Sequence, residues 1–284
     1  MSLTTSMRRM ATKTVAYFVN DHREHPSFSW DWLNQQCARL IASGGAPEMR
    51  PAYTWGVLQA AALARALETP RVSVVEFGVA GGRGLRALEQ IAASVEQVIP
   101  VGIDVVGFDT GVGLPKPTDV RDHPNLYFEG GYPMDEQSLR RSLARATLVL
   151  GDVSTTVSPW LATSPAPVGF VSWDLDYYSS TMAAFRLLDA QPGFLLPRIA
   201  SYFDDIMGLT FGDAVGERKA IADFNMAHQA RQFSPVYGLR YSLPWPLSTA
   251  RWPDMIYLAH ILDHPAYGTF DGLIGRSSAP LDRS

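Results

Sequence analysis

The segment VVEFGVAGGRG, residues 74–84, constrains the fold and the function of this chain more than any other. A buried strand pattern ends with the acid Glu76, and the chain then turns through several glycines into a helix with an apolar face. Glycines at a strand-to-helix turn let the backbone approach a ligand closely, and unpaired N–H groups at the start of the helix face that ligand. The segment therefore predicts a binding site for a nucleotide-like cofactor.

Strand and helix patterns alternate after Pro70. Strands are predicted at 71–77, 101–108, 146–150, 167–174 and 199–204, with helices at 83–93, 134–145, 156–162, 179–190 and 214–229. Buried strands separated by helices indicate a parallel sheet covered on both faces, which right-handed crossovers wind into a doubly wound α/β fold. The late apolar run MIYLAHIL is predicted to be a strand that pairs antiparallel beside the others.

Residues 1–70 have a different pattern, with helical apolar stripes from Trp30 to Ile41 and from Trp55 to Ala66. We therefore predict an N-terminal helical extension or lid, residues 1–70, and a cofactor-binding domain, residues 71–284. The single cysteine, Cys37, cannot form an internal disulfide, and its place in an apolar stripe predicts a core position rather than a nucleophile.

Charge and hydropathy restrict the partners of the chain. The net charge is −4 without a long basic run, which argues against a nucleic-acid partner. No stretch reaches about 18 apolar residues, so no membrane span is expected. The first residues lack the apolar segment of a secretory signal. We expect a cytoplasmic protein that acts on a small molecule, and the sequence leaves a homo-oligomer open.

The glycine turn identifies the class of cofactor. The spacing from Gly78 to Gly84 does not fit the register of the dinucleotide fingerprint, and no Gly-Lys-Ser/Thr follows as in a P-loop. The acid-x-Gly followed by Gly-x-Gly resembles motif I of the class I S-adenosylmethionine (SAM) methyltransferases. This resemblance implies that Glu76, Gly78 and Gly82 contribute to SAM binding. The alternative is that the glycines only form a tight turn.

Two later strands end with acids that suit the same cofactor. Asp109 ends the second strand, where a carboxylate accepts hydrogen bonds from ribose hydroxyls. Asp104 lies early in that strand and is expected near its entry side. Asp152 ends the third strand and is predicted either to contact the adenine amino group or to cap the following helix.

Four aspartates follow the fourth and fifth strands: Asp174, Asp176, Asp204 and Asp205. Ligands of a doubly wound sheet bind at the carboxyl ends of its strands, so these side chains should converge beside the glycine turn. Crowded carboxylates repel one another unless a cation is present, and oxygen ligands suit Mg²⁺. Helix capping would account for one or two of the four but not easily for all. The sequence therefore predicts a site for Mg²⁺ or a similar divalent cation.

Several segments together resemble the macrocin O-methyltransferase family: EFGVAGGRG, GFDTGVGLP, LGDVSTTVSPWL, DLDYYSST and FDDIMG, in that order across about residues 71–225. The resemblance implies a Rossmann-like, mostly parallel seven-stranded sheet. It also implies SAM- and Mg²⁺-dependent methylation of a hydroxyl, often on sugars of natural products. Its motifs make Asp174, Asp204 and Asp205 metal ligands and place Asp176 at the substrate or the metal, although Leu175 replaces the glycine of the family.

The general base and the reaction class are less constrained. Candidates for the base are Asp176, His228 and His260, of which His228 also fits a solvated histidine at a helix end. One rival function is a metal-dependent glycosyltransferase that uses Asp174-Leu175-Asp176 as a D-x-D motif. Another is a non-catalytic relative that binds SAM.

Overall fold

The computed structural model describes residues 28–43, 50–208 and 211–268. Within these ranges the strands are β1 Arg71–Phe77, β2 Gly102–Asp109, β3 Thr147–Leu150, β4 Val168–Trp173, β5 Leu195–Phe203, β6 Arg231–Pro235 and β7 Ile256–Ile261. The α-helices are α1 Trp30–Ser43, α2 Pro51–Ala66, α3 Arg83–Glu96, α4 Glu136–Ser142, α5 Val153–Leu161, α6 Tyr178–Ala184, α7 Gly216–Ala227 and α8 Leu239–Ser242. Short 3₁₀ turns lie at Val120–Asp122, Phe185–Asp189, Pro192–Phe194, Leu247–Thr249 and Trp252–Met255.

The strands form one sheet in the order β3-β2-β1-β4-β5-β7-β6. β1 to β5 are parallel, whereas β7 lies antiparallel between β5 and β6. The order reverses between β1 and β4, which is the switch point where doubly wound folds bind ligands. The predicted α/β fold, with its mostly parallel seven-stranded sheet and late antiparallel strand, is confirmed.

Among the elements that differ from the sequence prediction are β6 and α6, besides shifted bounds such as those of β5. β6 was not predicted, because only Phe233 of its residues is buried and the strand forms by pairing with β7 at the sheet edge. The helix predicted at 179–190 is α6 followed by the 3₁₀ turn Phe185–Asp189.

Helix α2 lies in the same hydrophobic core as residues of the sheet. Every residue from Ala52 to Ala64 is buried, and the helix packs against β4 and β5. A helix that is apolar on all sides is stable only inside a core. Helix α1 packs on α2 and buries Cys37, as predicted. The domain boundary at residue 70 stays a prediction, and residues 1–27 and 44–49 of the extension lie outside the described residues.

A row of aromatic rings crosses the sheet near the carboxyl ends of four strands. Phe77 stacks on Phe108 at 4.9 Å and on Trp173 at 5.2 Å, and Trp173 stacks on Phe203 at 5.9 Å. The same residues are direct cross-strand partners. The row holds these strand ends level, so the residues that follow them emerge side by side.

No helix in the part of the chain that the structure describes is long and apolar enough to cross a membrane.

Candidate active site

The residues that follow the aromatic row lie side by side at the carboxyl edge of the sheet. The Gly78 N–H donates to the Phe108 carbonyl at 2.9 Å, and the Asp174 N–H donates to the Phe77 carbonyl at 3.1 Å. The Asp204 N–H donates in the same way to the Trp173 carbonyl at 3.1 Å. Neighbouring strands are about 4.8 Å apart, so this ladder sets the glycine turn next to the aspartates.

A cavity of about 370 Å³ opens above this edge, between the glycine turn, the strand ends and the loop 110–133. The predicted site residues that line it are Glu76, Gly78, Asp109, Asp152, Asp174, Asp176, Asp204 and Asp205. Two predicted site residues, Gly82 and His228, are not part of this lining.

The glycine turn has positions that only glycine fits. Gly78 has a φ of +82°, and a Cβ there would lie 1.7 Å from the Asp174 carbonyl oxygen. Gly82 begins α3 with a φ of +75°, and a Cβ there would lie 2.1 Å from Leu139. Gly82 therefore shapes the turn and packs against α4, whereas Gly78 borders the cavity.

Asp109 holds the glycine turn in place. Its Oδ2 accepts from the N–H groups of Val79 at 2.9 Å and Ala80 at 2.8 Å, and its Oδ1 accepts from the Gly111 N–H at 2.7 Å. Each carboxylate oxygen has two acceptor sites, so these bonds leave capacity for a ligand hydroxyl. A contact with ribose stays a prediction, and the bonds to the turn are a second role.

Asp152 caps a helix, which is one of the two roles predicted for it, and Asp104 lies near the start of its strand, as expected. The Asp152 Oδ1 accepts from the Ser154 N–H at 2.8 Å and caps α5, while the residue also borders the cavity. Its contact with adenine stays a prediction. Asp104 lies at the opposite edge of the sheet, where it pairs with Arg71.

Glu76 ends in a buried polar network that the sequence did not reveal. Its Oε1 accepts from the Tyr53 hydroxyl at 2.7 Å, and that hydroxyl accepts from the Ser172 hydroxyl at 2.8 Å and the Arg50 guanidinium at 2.9 Å. The Oε2 is buried without a hydrogen-bond partner. Burial raises the pKa of Glu76 to about 7, against the opposing effects of Tyr53 and Arg50. The available signal was a tyrosine within an apolar helix, because a buried hydroxyl needs a partner.

Asp174, Asp204 and Asp205, which we call the aspartate cluster, present carboxylate oxygens that lie within 4.8 Å of one another. The Tyr202 hydroxyl donates to Asp204 at 2.5 Å, and the Tyr127 hydroxyl donates to Asp205 at 3.1 Å. The Asp205 Oδ2 is buried without a hydrogen-bond partner. Burial and then the neighbouring carboxylates raise the pKa of Asp174 well above its usual range and that of Asp205 to about 8.

This donor set fits a hard divalent cation. None of the ion pairs within the described ranges involves the aspartate cluster. Proteins bind Mg²⁺ through carboxylate oxygens, and water molecules complete its coordination. The Asp205 Oδ2, which has no hydrogen-bond partner, is available as such a ligand. Asp174, Asp204 and Asp205 are therefore the residues that would hold the cation.

Asp176 lies next to the cluster but in a different backbone conformation. It borders the cavity with a φ of +59°, which only a few per cent of non-glycine residues adopt. Burial raises the pKa of its carboxyl, and hydrogen bonds with Asp205 and Tyr127 act in the opposite direction. Such backbone strain is concentrated at functional sites, which is consistent with the catalytic role predicted for Asp176.

The loop 110–133 forms one wall of the cavity. The fully buried carboxylate of Asp122 accepts from the Ser179 N–H at 2.7 Å and from its hydroxyl at 3.0 Å, which joins the loop to the start of α6. Tyr127 and Tyr132 of this loop border the cavity. A long loop of this kind is usually functional, and here it carries side chains to the aspartates.

Glu217 is a further residue that the sequence reasoning missed. It lies in the first turn of α7 with no exposed surface. Its Oε1 accepts from the Leu175 N–H at 3.3 Å, and its Oε2 accepts from the Asp205 N–H at 3.1 Å. Burial raises its pKa well above the usual range. An acid in the first turn of a helix is commonly explained by the helix dipole, so its position alone did not mark it.

The structure contradicts His228 as a general base. The aspartates lie at the start of α7, and His228 follows its last residue, about 17 Å away at 1.5 Å per residue. Its Nδ1 lies 3.0 Å from the Phe224 carbonyl oxygen, and its ring stacks on Phe224. His260 is also remote, because it pairs with Arg198 near the other end of β5.

No protein-family model matches the sequence, and no curated protein matches it. Similar solved structures include the calicheamicin methyltransferase CalS11, 24% identical over 85% of this chain and 98% of that one, with a TM-score of 0.47. They also include apo CalS11, described as a TDP-rhamnose 3'-O-methyltransferase of calicheamicin biosynthesis, 21% identical over 85% and 99%, with a TM-score of 0.42. SAH-bound PaMTH1 of Podospora anserina is 14% identical over 89% and 95%, with a TM-score of 0.41. All three of these solved structures are described as methyltransferases.

Proposed function

We propose that this protein is a SAM-dependent O-methyltransferase that requires Mg²⁺ or a similar divalent cation. Its acceptor is a hydroxyl of a small molecule of the sugar or natural-product class. The observation that carries the proposal is that the glycine turn and the aspartate cluster border one cavity. The resemblance of the sequence motifs to the macrocin O-methyltransferase family supports the choice of SAM as donor.

The donor would bind at the glycine turn and the ends of β1 to β3. Backbone N–H groups at the start of α3 and the carboxylates of Glu76, Asp109 and Asp152 border that part of the cavity. The unpartnered Oε2 of Glu76 offers a buried hydrogen-bonding group to the ligand. Gly78 leaves room for the ligand to approach the backbone.

The acceptor would bind above β4 and β5, where the aspartate cluster lies. Asp174, Asp204 and Asp205 would hold a divalent cation there, which would lower the pKa of a hydroxyl in contact with it. Tyr127 and Tyr202 orient the carboxylates through their hydrogen bonds to Asp205 and Asp204. The chain thereby fixes the acceptor oxygen relative to the donor, and such positioning is a large part of the catalysis of group transfer.

In the proposed reaction the acceptor oxygen bonds to the methyl carbon while the bond from that carbon to the sulfonium sulfur breaks. The sulfur keeps the electron pair, so SAM becomes neutral S-adenosylhomocysteine (SAH). The hydroxyl proton must leave, and we assign its acceptance to Asp176, which borders the cavity next to the cluster. A carboxylate in hydrogen-bond reach of a reacting hydroxyl is a competent general base.

The proposal is tested by calorimetry with SAH, with and without Mg²⁺, followed by a mass-shift screen of SAM with a metabolite extract. We expect SAH to bind and a methylated product to form only in the presence of the cation. Asp109→Ala and Glu76→Ala should weaken SAH binding, and unaltered binding constants in both would show that the donor site is misplaced. Turnover that continues in excess chelator would show that the reaction does not require a metal.

The same measurements separate the rival functions. A metal-dependent glycosyltransferase would bind a nucleotide-sugar tightly and SAH weakly or not at all. A non-catalytic relative would bind SAH and give no turnover across a wide panel of acceptors.

A further inference from the structure

Glu217 is a buried acid that the proposed reaction does not use. Its carboxylate touches both loops that carry the aspartates: one oxygen bonds to Leu175, between Asp174 and Asp176, and the other bonds to Asp205. The residue has no exposed surface. It therefore joins the end of β4 to the end of β5 from behind the aspartate cluster.

The two oxygens of the carboxyl group suit this place, because each accepts from the backbone N–H group of a different loop. A glutamine would fail here, because it has one acceptor oxygen and an NH₂ donor, whereas both N–H groups need an acceptor.

We propose that Glu217 is a positioning residue that fixes the two aspartate loops in the spacing that a divalent cation needs. This inference rests on the proposed function, because it takes the aspartate cluster to be a cation site. Residues that orient metal ligands without touching the metal contribute about 10- to 100-fold to metal affinity. Loss of Glu217 should therefore weaken the binding of the cation without affecting the binding of SAM at the other end of the cavity.

The chain contains a matched control in Glu89. This glutamate is also buried, and it also accepts from backbone N–H groups, including that of Ala144 at 3.0 Å. It lies in α3 and holds the loop before β3, away from the cavity lining. Glu89→Gln makes the same chemical change as Glu217→Gln and imposes a comparable loss of hydrogen bonding.

The test is a titration of the wild type, Glu217→Gln and Glu89→Gln with Mn²⁺, followed by electron paramagnetic resonance, alongside calorimetry with SAH. We expect Glu217→Gln to lower the affinity for Mn²⁺ by about 10- to 100-fold and to leave the dissociation constant of SAH unchanged. Its Mn²⁺ requirement for half-maximal methylation should rise, and saturating Mn²⁺ should restore much of the rate. Glu89→Gln should bind Mn²⁺ as the wild type does. Wild-type Mn²⁺ affinity in Glu217→Gln would overturn the inference.

If Glu217→Gln does not fold, Glu217→Asp replaces it. The aspartate keeps both acceptor oxygens but is one methylene shorter, so we expect it to lose one of the two N–H contacts and still to weaken Mn²⁺ binding. Wild-type affinity in that variant would overturn the inference equally. A wild-type protein that binds no Mn²⁺ would instead overturn the proposed cation site, and the role of Glu217 with it.

Discussion

The amino-terminal ends of the parallel strands form what we call the amino edge of the sheet, and their carboxyl-terminal ends form the carboxyl edge. Acidic residues have opposite surroundings at these two edges. At the amino edge, Asp104 pairs with Arg71 and Glu96 pairs with Arg145. At the carboxyl edge, the aspartate cluster takes part in no ion pair of the described segments, and Tyr127 and Tyr202 are its hydrogen-bond donors. The acids at the amino edge thus form ion pairs with the chain, whereas those of the aspartate cluster form none in the described segments, and the charge of Arg50 acts on Asp174 and Asp204 only without a direct ion pair.

Acids that form ion pairs and acids that form none differ in what they cost the folded protein in free energy. Exposed ion pairs contribute about 1 kcal/mol or less, and they cost little to maintain. Buried carboxylates without a counter-charge cost several kcal/mol or take up protons. The proposed cation site accounts for this contrast, because a cation that binds from outside would supply the missing positive charge.

The largest contrast should come from removing one acid at each edge. We expect Asp204→Ala to reduce metal-dependent methylation by more than about 100-fold, because a ligand matters more than the groups that orient it. SAH binding should survive, since Asp204 lies at the opposite end of the cavity from Asp152. Asp104→Ala is the control, and an equal loss of activity in it would remove the distinction between the edges.

Glycines should show the next largest contrast. Gly78→Ala places a Cβ against the backbone of Asp174 at a φ of +82°, so we expect a loss of about 2 kcal/mol or more in the free energy of unfolding. Gly102→Ala, at the amino edge, meets only the flexible end of Arg71 at 2.9 Å and should be tolerated. Urea denaturation of both variants gives the comparison, and equal stability losses would contradict it.

The pH dependence of stability should differ between the edges as well. Folding raises the pKa of Glu76 from 4.5 to about 7, because the protonated form is favoured in the buried site. The contribution of Glu76 to the free energy of unfolding is therefore fully present below pH 4.5 and is lost as the pH rises towards 7. Relative to wild type, Glu76→Gln should therefore gain about 1 kcal/mol or more in unfolding free energy between pH 5 and pH 8.

Glu96→Gln is the control for that experiment. Arg145 holds the pKa of Glu96 below its usual range, so the stability it contributes is lost only as the pH falls through that lowered pKa. The difference between Glu96→Gln and wild type should be constant from pH 6 to pH 8. A pH-independent difference for Glu76→Gln over the same interval would show that Glu76 is not a buried acid with a raised pKa.

The smallest effect is expected at the exposed pair of the amino edge. Asp104→Asn removes the charge that pairs with Arg71, and both side chains are largely exposed. We expect the free energy of unfolding to change by less than about 1 kcal/mol, and the change should shrink further in high salt. A larger loss in thermal or chemical denaturation would show that the amino edge also depends on its charges.

The sequence by itself determined the features that depend on local periodicity and turn chemistry. Strand β1 was predicted with its observed bounds, and Leu85, Leu88 and Ile91 form the buried face predicted for α3. Glycines and acids at strand ends could be placed in the same way, because the carboxyl end of each parallel strand lies at one edge of the sheet. The convergence of Asp174, Asp204 and Asp205 was therefore within reach of sequence reasoning.

Only the tertiary structure decided which distant groups meet. Phe77, Trp173 and Phe203 are far apart in the chain, and it is their cross-strand register that sets the spacing of the acids that follow them. The partners of Glu217 and of Tyr53 depend on how α7 and α2 pack, and the length of α7 removes His228 from the cavity. Periodicity shows which face of an element is buried, whereas the neighbour on that face depends on strand order, register and helix length.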